Sequence, residues 1–467
     1  MTAIDVQPVE RPAWVRDAIF YEIFPDRFRN GDLTNDPART EPWGDAPSRT
    51  NFFGGDLAGI EQGLSYLADL GITALYLTPI FAAGTNHRYD THDYLRIDPA
   101  LGDTERLKSL VAAAHRLGIR VILDAVFNHC GDGFWAFQDV VNRGSSSLYR
   151  DWFTVHQWPI RQDPPSYQTC GGAPYLPKLN SLNPDLRHYL LGVARYWIEE
   201  TDIDGWRLDV PWKLPTDFWE EFCSTVRSVK PDAYIVGEVW RDPQPWLHLW
   251  DGAMNYRLWD YLLDYCVRDH MDAEDFSFET GSLMTQLDGV APWMLNLVGS
   301  HDTPRLLTVC GGDDRRAVLA LTALMTLPGT PMLYYGDEIG VEGENDPDCR
   351  RCMEWDDRRW RPALMAATRR LIQLRRELLA FRCGSFTPLL CFNGTLAFQR
   401  GSGDDRVVVI LNPRREQRDL AVPIEDGCST HWTDRLGGGG YPCASGAIRV
   451  DVLPATSAMV LQSRQDS

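Results

Sequence analysis

Short apolar runs rich in β-branched and aromatic residues alternate along most of the chain with longer segments of helical period. The runs are residues 18–24 (AIFYEIF), 72–77 (ITALYL), 121–127 (VILDAVF), 205–210 (GWRLDV), 233–239 (AYIVGEV), 253–257 (AMNYR), 294–300 (MLNLVGS) and 331–336 (PMLYYG). Between them, segments such as 104–118 (TERLKSLVAAAHRLG) and 185–200 (DLRHYLLGVARYWIEE) space their apolar residues three and four apart. Runs of the first kind are buried strands, segments of the second kind are amphipathic helices, and their regular alternation builds a parallel β/α sheet. Eight such strands predict an α/β fold of the TIM (β/α)8 barrel type, on a chain longer than the ~250 residues such a barrel needs.

The excess falls in two places. Residues 130–183 carry Gly-Ser, Pro-Pro and Gly-Gly stretches and no helical period, which predicts an irregular subdomain inserted after the third strand. From residue 384 the helical period stops, and alternating segments appear at 395–400, 406–412, 447–453 and 457–462. Residues 1–129 and 184–383 are therefore read as the barrel and 384–467 as a C-terminal antiparallel β-sandwich domain, with Gly437 to Gly440 in a loop. Residues 317–336 are uncharged over membrane-spanning length, but Pro328, Gly329 and Pro331 would break a spanning helix. A buried helix followed by a buried strand is the better reading.

Composition narrows the partners. With 46 Lys and Arg against 65 Asp and Glu, the net charge of −19 repels phosphate backbones and anionic lipid, so neither nucleic acid nor membrane is expected to bind. The 17 Trp supply faces for core, interface or flat neutral ligands. The start, MTAIDVQPVERPAW, has an acid at Asp5 and no apolar run, unlike a secretory leader. Together with an odd 11 cysteines this reads as a cytoplasmic protein with reduced thiols. Cys349 and Cys352 form a CxxC pair with no second pair at finger-like spacing, so incidental spacing is favoured over zinc.

In a β/α barrel the chemistry gathers at the carboxyl ends of the strands, and several runs end in acids. Asp124 lies within VILDAVFNH, which closes on Asn128 and His129; GWRLD ends at Asp209; GEVW holds Glu238 and Trp240; GSHD ends at His301 and Asp302. Arg207 and Asp209 lie two apart and share a face, so the guanidinium would keep Asp209 ionised, as a nucleophile requires. Apolar neighbours of Glu238 would raise its pKa toward the protonated form a general acid needs. One ionised and one protonated carboxyl are the pair for glycoside hydrolysis. An Arg–Asp surface pair and a salt-bridged strand-end Glu fit the spacing equally well.

The motifs DAVFNH (124–129), GWRLD (205–209), GEVW (237–240) and GSHDTPR (299–305) resemble, in order, the four signature regions of glycoside hydrolase family 13, the α-amylase family. LPKLN (176–180), GSHDTPR and NDPDCRRCMEWD (345–356) are similar to markers of its neopullulanase, cyclomaltodextrinase and maltogenic amylase branch. The resemblance runs from about residue 15 to the end. It implies a retaining mechanism with Asp209 as nucleophile, Glu238 as acid/base and Asp302 as transition-state stabiliser. It further implies that His87, Tyr89, His129, Arg207 and His301 hold the sugar on the non-reducing side, with Tyr89 stacking on it. Asp346 and Arg350 match the positions that take the next sugar outward, and Trp240 is expected to stack on the leaving-group side.

Oxygen donors at Asn30, Asp32, Asn35, Asp36, Asp56 and the Gly54 carbonyl are of the type that suits Ca²⁺; an ion-free Asx-rich turn is the alternative. The segment resembles the structural calcium loop of the branch, which favours the ion. Branch members commonly carry an additional N-terminal β domain, whereas this chain starts close to the first barrel strand, so cyclodextrin preference and the usual dimer do not carry over automatically. Pro211, Trp212 and Lys213 replace small or polar residues and are expected to reshape the leaving-group side. The resulting expectation is an α-glucan hydrolase acting on α-1,4 bonds of cyclodextrins and malto-oligosaccharides, with α-1,6 bonds a further target. A glucanotransferase or α-glucosidase on the same barrel, and a non-catalytic sugar-binding protein, are the alternatives.

Overall fold

The computed structural model describes residues 10–287, 289–424 and 431–463. Of the opening segment MTAIDVQPVERPAW, on which the expectation of no leader rests, residues 1–9 lie outside them. Two strands, β1 (Phe20–Ile23) and β2 (Ala74–Leu77), precede a hairpin of β3 (Phe81–Ala83) and β4 (Thr91–Ile97). Then follow β5 (Arg120–Ala125), β6 (Gly205–Leu208), β7 (Tyr234–Val239), β8 (Gly252–Asn255), β9 (Leu295–Leu297) and β10 (Thr330–Tyr334). Without the hairpin, these eight strands close into a barrel in the order β1-β10-β9-β8-β7-β6-β5-β2. Each corresponds to one of the eight apolar runs, and the TIM-barrel reading is confirmed. Strands covered by helices are buried on both faces, which is why they read as continuous apolar runs rather than alternating ones.

Among the described residues two compact units can be separated, one drawn from residues 10–13, 20–254 and 350–353, the other from residues 14–19, 255–287, 289–349, 354–424 and 431–463. Within the first, the connecting helices have clear boundary signals. Asp56 caps helix Leu57–Leu70, which ends on Gly71 at φ 97. Asp103 caps Thr104–Arg116, whose last turn carries Arg116, a cation suited to the negative end of the helix dipole. Asn183 caps Pro184–Thr201 ahead of a proline in the first turn. The parallel register sets Asp124 opposite Arg207 and Arg207 opposite Val236, so these strands end at a common level. The glycine of GWRLD is required there: a Cβ on Gly205, at φ 154, would collide with the Tyr234 carbonyl.

The insert after β5 departs from the sequence reading. It contains a helix, Trp135–Arg143, that buries Ala136, Phe137 and Val140. An isolated bridge between His129 and Lys178 ties the far end of the insert back to its start, and another, Thr169–Pro177, joins two segments within it. Aromatic edges hold its base, with the rings of Trp135 and Tyr149 at 4.9 Å and 86°. The helix is too short, and its flanks too rich in turn residues, for period to reveal it.

In the second unit, the uncharged segment forms helix Asp314–Thr326 followed by β10, as expected. Its C-terminal part is eight antiparallel strands: β11 (Phe386–Phe392), β12 (Thr395–Arg400), β13 (Val407–Asn412), β14 (Gln417–Pro423), β15 (His431–Asp434), β16 (Gly440–Ala444), β17 (Ala447–Leu453) and β18 (Ser457–Ser463). They hydrogen-bond in the order β11-β12-β13-β18-β15-β16-β17-β14. Val408, Ile410 and Leu461 pack against Leu420, Val422, Ile448 and Val450 around a buried Trp432, so one continuous sheet supplies both faces of the core. No helix among the described residues is long and apolar enough to cross a membrane.

Candidate active site

Three neighbouring strands converge on one guanidinium. Arg207, fully buried on β6, donates from Nη1 to both oxygens of Asp124 on β5 at 3.0 Å and to Oδ1 of Asp209 at 3.1 Å. Its Nη2 lies 3.1 Å from Oε2 of Glu238 on β7. Burial alone would pull the arginine pKa down, but Asp124, Tyr76 and Glu238 raise it well above the ordinary value, so it stays a cation. A cation this deep must be paired, and here it binds the two carboxylates singled out as nucleophile and acid. Asp209 stands just beyond the last residue of β6 rather than within it, yet the pairing with Arg207 is made.

The surroundings of Glu238 are more polar than the sequence suggested. Besides Arg207, its Oε2 accepts the backbone N–H of Val210 at 3.1 Å and its Oε1 accepts the indole N–H of Trp240 at 2.8 Å. Val210 stands at φ 35, ψ 50, a left-handed conformation that β-branched residues rarely adopt. The preceding Gly237 allows close packing under the acid, since a Cβ there would meet the Trp250 ring at 3.0 Å.

Asp124, named only as part of a motif, and Tyr76, not singled out at all, belong to the same cluster. The Tyr76 hydroxyl donates to Asp124 Oδ2 at 2.6 Å and the Tyr89 hydroxyl to the same oxygen at 3.0 Å. Tyr89 is thus anchored through its hydroxyl, with its ring partly exposed and tilted 5.9 Å from His87, whose Nδ1 accepts the Tyr89 N–H at 3.1 Å. His129 is buried, and that burial lowers its pKa to about 4, so its imidazole is neutral at pH 7. Trp240 keeps 39% of its surface exposed. Arg350, also in the first unit, is buried; its carbonyl accepts Arg27 Nε at 3.0 Å and its guanidinium lies 5.4 Å from the Phe24 ring centre.

The second unit contains the remaining predicted residues. His301 is fully buried, with Nε2 at 3.3 Å from Asp302 Oδ2, and Asp302 keeps a third of its side chain exposed. The Cys349 thiol donates to the His301 carbonyl at 3.2 Å, so the first cysteine of the CxxC pair packs beneath a motif residue. Every cysteine among the described residues is a free thiol. Asp346 lies partly exposed in the turn that leads to Asp348–Arg350.

The predicted calcium ligands are all in the first unit and divide into two sets. The Oδ1 atoms of Asn30 and Asn35 are buried without a hydrogen-bond partner. Asn30 Nδ2 donates to Asp36 Oδ1 at 2.7 Å, and a Cβ on Gly54, at φ 78, would strike both residues. Unsatisfied amide oxygens around a glycine-lined niche fit a hard cation. Asp56 is engaged elsewhere: it accepts the N–H groups of Gly31, Asp32 and Gly59. Asp32 turns outward, accepting the Thr34 N–H and hydroxyl. Among the described residues no group of three or more His, Cys, Asp or Glu side chains could hold a metal; the amide oxygens are what fit the ion.

Known proteins resemble the chain throughout this architecture. The family model described as alpha amylase, catalytic domain, matches residues 22–370. A cyclomaltodextrinase of Geobacillus thermopakistaniensis (strain MAS1) is 46% identical over 426 residues, 89% of this chain and 72% of that protein. Neopullulanase 2 of Thermoactinomyces vulgaris is 42% identical over 452 residues, 95% of this chain and 77% of that protein. Among solved structures, the cyclic α-maltosyl-(1→6)-maltose hydrolase from Arthrobacter globiformis, in complex with that sugar, superposes with a TM-score of 0.88. It is 42% identical, covering 97% of this chain and 99% of the other.

Proposed function

From the premise that the chain belongs to the α-amylase family, we propose that it is a retaining hydrolase of cyclic and short linear α-glucans, cutting α-1,4 bonds and accepting α-1,6 bonds. The observation that carries this is Arg207 bound at once to Asp124, Asp209 and Glu238. Retention requires two carboxyl groups about 5 to 5.5 Å apart, and two carboxylates held on one guanidinium are compatible with that spacing. The α-1,6 reading is supported by the full-length resemblance to a hydrolase of cyclic α-maltosyl-(1→6)-maltose.

In the proposed reaction Asp209 attacks the anomeric carbon while Glu238 gives its proton to the departing glycosidic oxygen, leaving a glycosyl ester on Asp209. Glu238, now a carboxylate, takes a proton from water as that water attacks the same carbon and frees Asp209. Asp302 is assigned the hydrogen bonds to ring hydroxyls that strengthen as oxocarbenium character grows. His87, Tyr89, His129, Arg207 and His301 are assigned to the same sugar, Asp346 and Arg350 to the next one outward, and Trp240 to the leaving-group side. Neutral His129 suits an uncharged hydroxyl partner. Asn30, Asn35, Asp36 and the Gly54 carbonyl would hold Ca²⁺, which when bound ties the loop after β1 together and takes no part in bond cleavage.

The test is to incubate the protein with β-cyclodextrin, maltotriose, pullulan and cyclic maltosyl-maltose, resolving products over time and reading the first-formed anomer by NMR. Cleavage with α-configured products is expected. Products of inverted configuration, or binding without cleavage of any of the four, would sink the proposal. Asp209→Asn and Glu238→Gln are each expected to lower kcat by orders of magnitude with Tm unchanged within a few degrees.

A further inference from the structure

The two oxygens of Glu238 are held differently, and the difference identifies which one can carry a proton. Oε2 faces the Val210 N–H and the Arg207 guanidinium, both at 3.1 Å. Neither donor can turn away. The first is backbone in a left-handed conformation, and the second is tied to Asp124 and Asp209. A proton on Oε2 would point at donors that have nothing to accept it with. Oε1 receives the indole N–H of Trp240, a donor on a half-exposed side chain rather than on backbone or on a buried ion pair.

We propose, building on the hydrolase reading, that Oε1 is the oxygen that delivers and recovers the proton, and that the Trp240 N–H is a positioning group which favours the ionised carboxyl between the two half-reactions. A neutral carboxyl whose Oε1 bears hydrogen is a poor acceptor, so protonation and the indole bond compete. When Oε1–H gives its proton to the glycosidic oxygen, the C–O bond breaks with its electron pair on that oxygen and the anomeric carbon bonds to Asp209. The indole bond then forms and steadies the new carboxylate. It opens again as that carboxylate takes the proton of the attacking water. Arg207 links Glu238 to Asp209 and Asp124, Lys213 stands in the turn packed against β7, and Arg241 and Asp242 follow Glu238 closely in the chain.

A hydrogen bond to the charged form lowers a carboxyl pKa. Trp240→Phe, which keeps a ring and loses the donor, is therefore expected to move the alkaline limb of kcat/KM for β-cyclodextrin up by about one pH unit, with the acid limb unmoved. Trp240→Gln, which keeps an N–H and loses the ring, is expected to raise KM while its alkaline limb stays near that of the native protein. The position is half-exposed, so both variants should fold; Tm confirms it. Phe and Gln variants with the same alkaline limb would overturn the assignment and reduce Trp240 to a stacking surface. A native protein that cleaves none of the four glucans would instead overturn the hydrolase reading itself.

Discussion

Val210 is where local geometry and chemistry conflict most openly. A β-branched residue at φ 35 is strained by roughly 1 to 3 kcal/mol, and the strained unit is the peptide that follows Asp209 and binds Glu238. Glycine adopts this conformation freely but costs about 1 kcal/mol in chain entropy. Val210→Gly is thus expected to leave Tm level or slightly higher while kcat falls several-fold, because the donor to Glu238 is less firmly aimed. A lower Tm with unchanged kcat would show that the conformation stores nothing for catalysis. At this scale the acids were legible because GWRLD and GEVW are compact motifs at strand ends. Tyr76 was not: it sits in ALYL, where an inward aromatic is indistinguishable from core, and only the register of β2 on β5 brings its hydroxyl to Asp124.

Helix Asp314–Thr326 shows what pattern cannot reveal about an element. Two buried arginines close its carboxyl end: Arg375 donates to the Met325 and Gly329 carbonyls, and Arg400 to those of Thr326, Gly384 and Phe381. Burial comes first among the causes that lower both to about 9, and Arg375 adds to the lowering of Arg400. Arg375→Met leaves backbone carbonyls unsatisfied and is expected to cost about 2 to 4 kcal/mol in urea unfolding. Because the two cations repel, each single loss also relieves that repulsion, so removing both should cost more than the sum of the single losses. Strict additivity would mean that the pair does not interact. In the sequence, Arg375 belongs to a run of basic residues resembling a solvated helix face, and nothing in its spacing marks it as buried. The barrel strands were legible because their apolar runs are continuous. Strands β11, β14, β15 and β16 were not: Pro388 falls in β11 and Gly440 and Pro442 in β16, β15 is only four residues long, and β14 pairs with the later strand β17 rather than with a neighbour in sequence.

Over the whole molecule, buried titratable groups set the acid limit of stability, and they pull in opposite directions. His129 is held at about 4, below its ordinary 6.5, chiefly by burial. As pH falls through 6.5 the unfolded chain takes up a proton that the folded one refuses, so stability is lost down to about pH 4. The loss approaches roughly 3 kcal/mol, since each pKa unit is worth about 1.4. Asp251, raised to about 6 by burial against the opposing pull of Arg227, behaves conversely. Its folded form gains a proton first, so it contributes increasing stability as pH falls from 6 toward 3.8. The two contributions overlap between pH 6 and 4, and a stability curve of the native protein alone would hide both. His129→Asn separates them, because Asp251 is common to both proteins and cancels. The variant is expected to be less stable at pH 7.5, with a deficit that shrinks by roughly 3 kcal/mol on acidification to pH 4. Urea midpoints at half-unit intervals of pH would read this directly. A deficit that stays constant over that range would mean that His129 titrates in the folded protein much as it does in the unfolded chain, and its neutral role beside the sugar would fall with it.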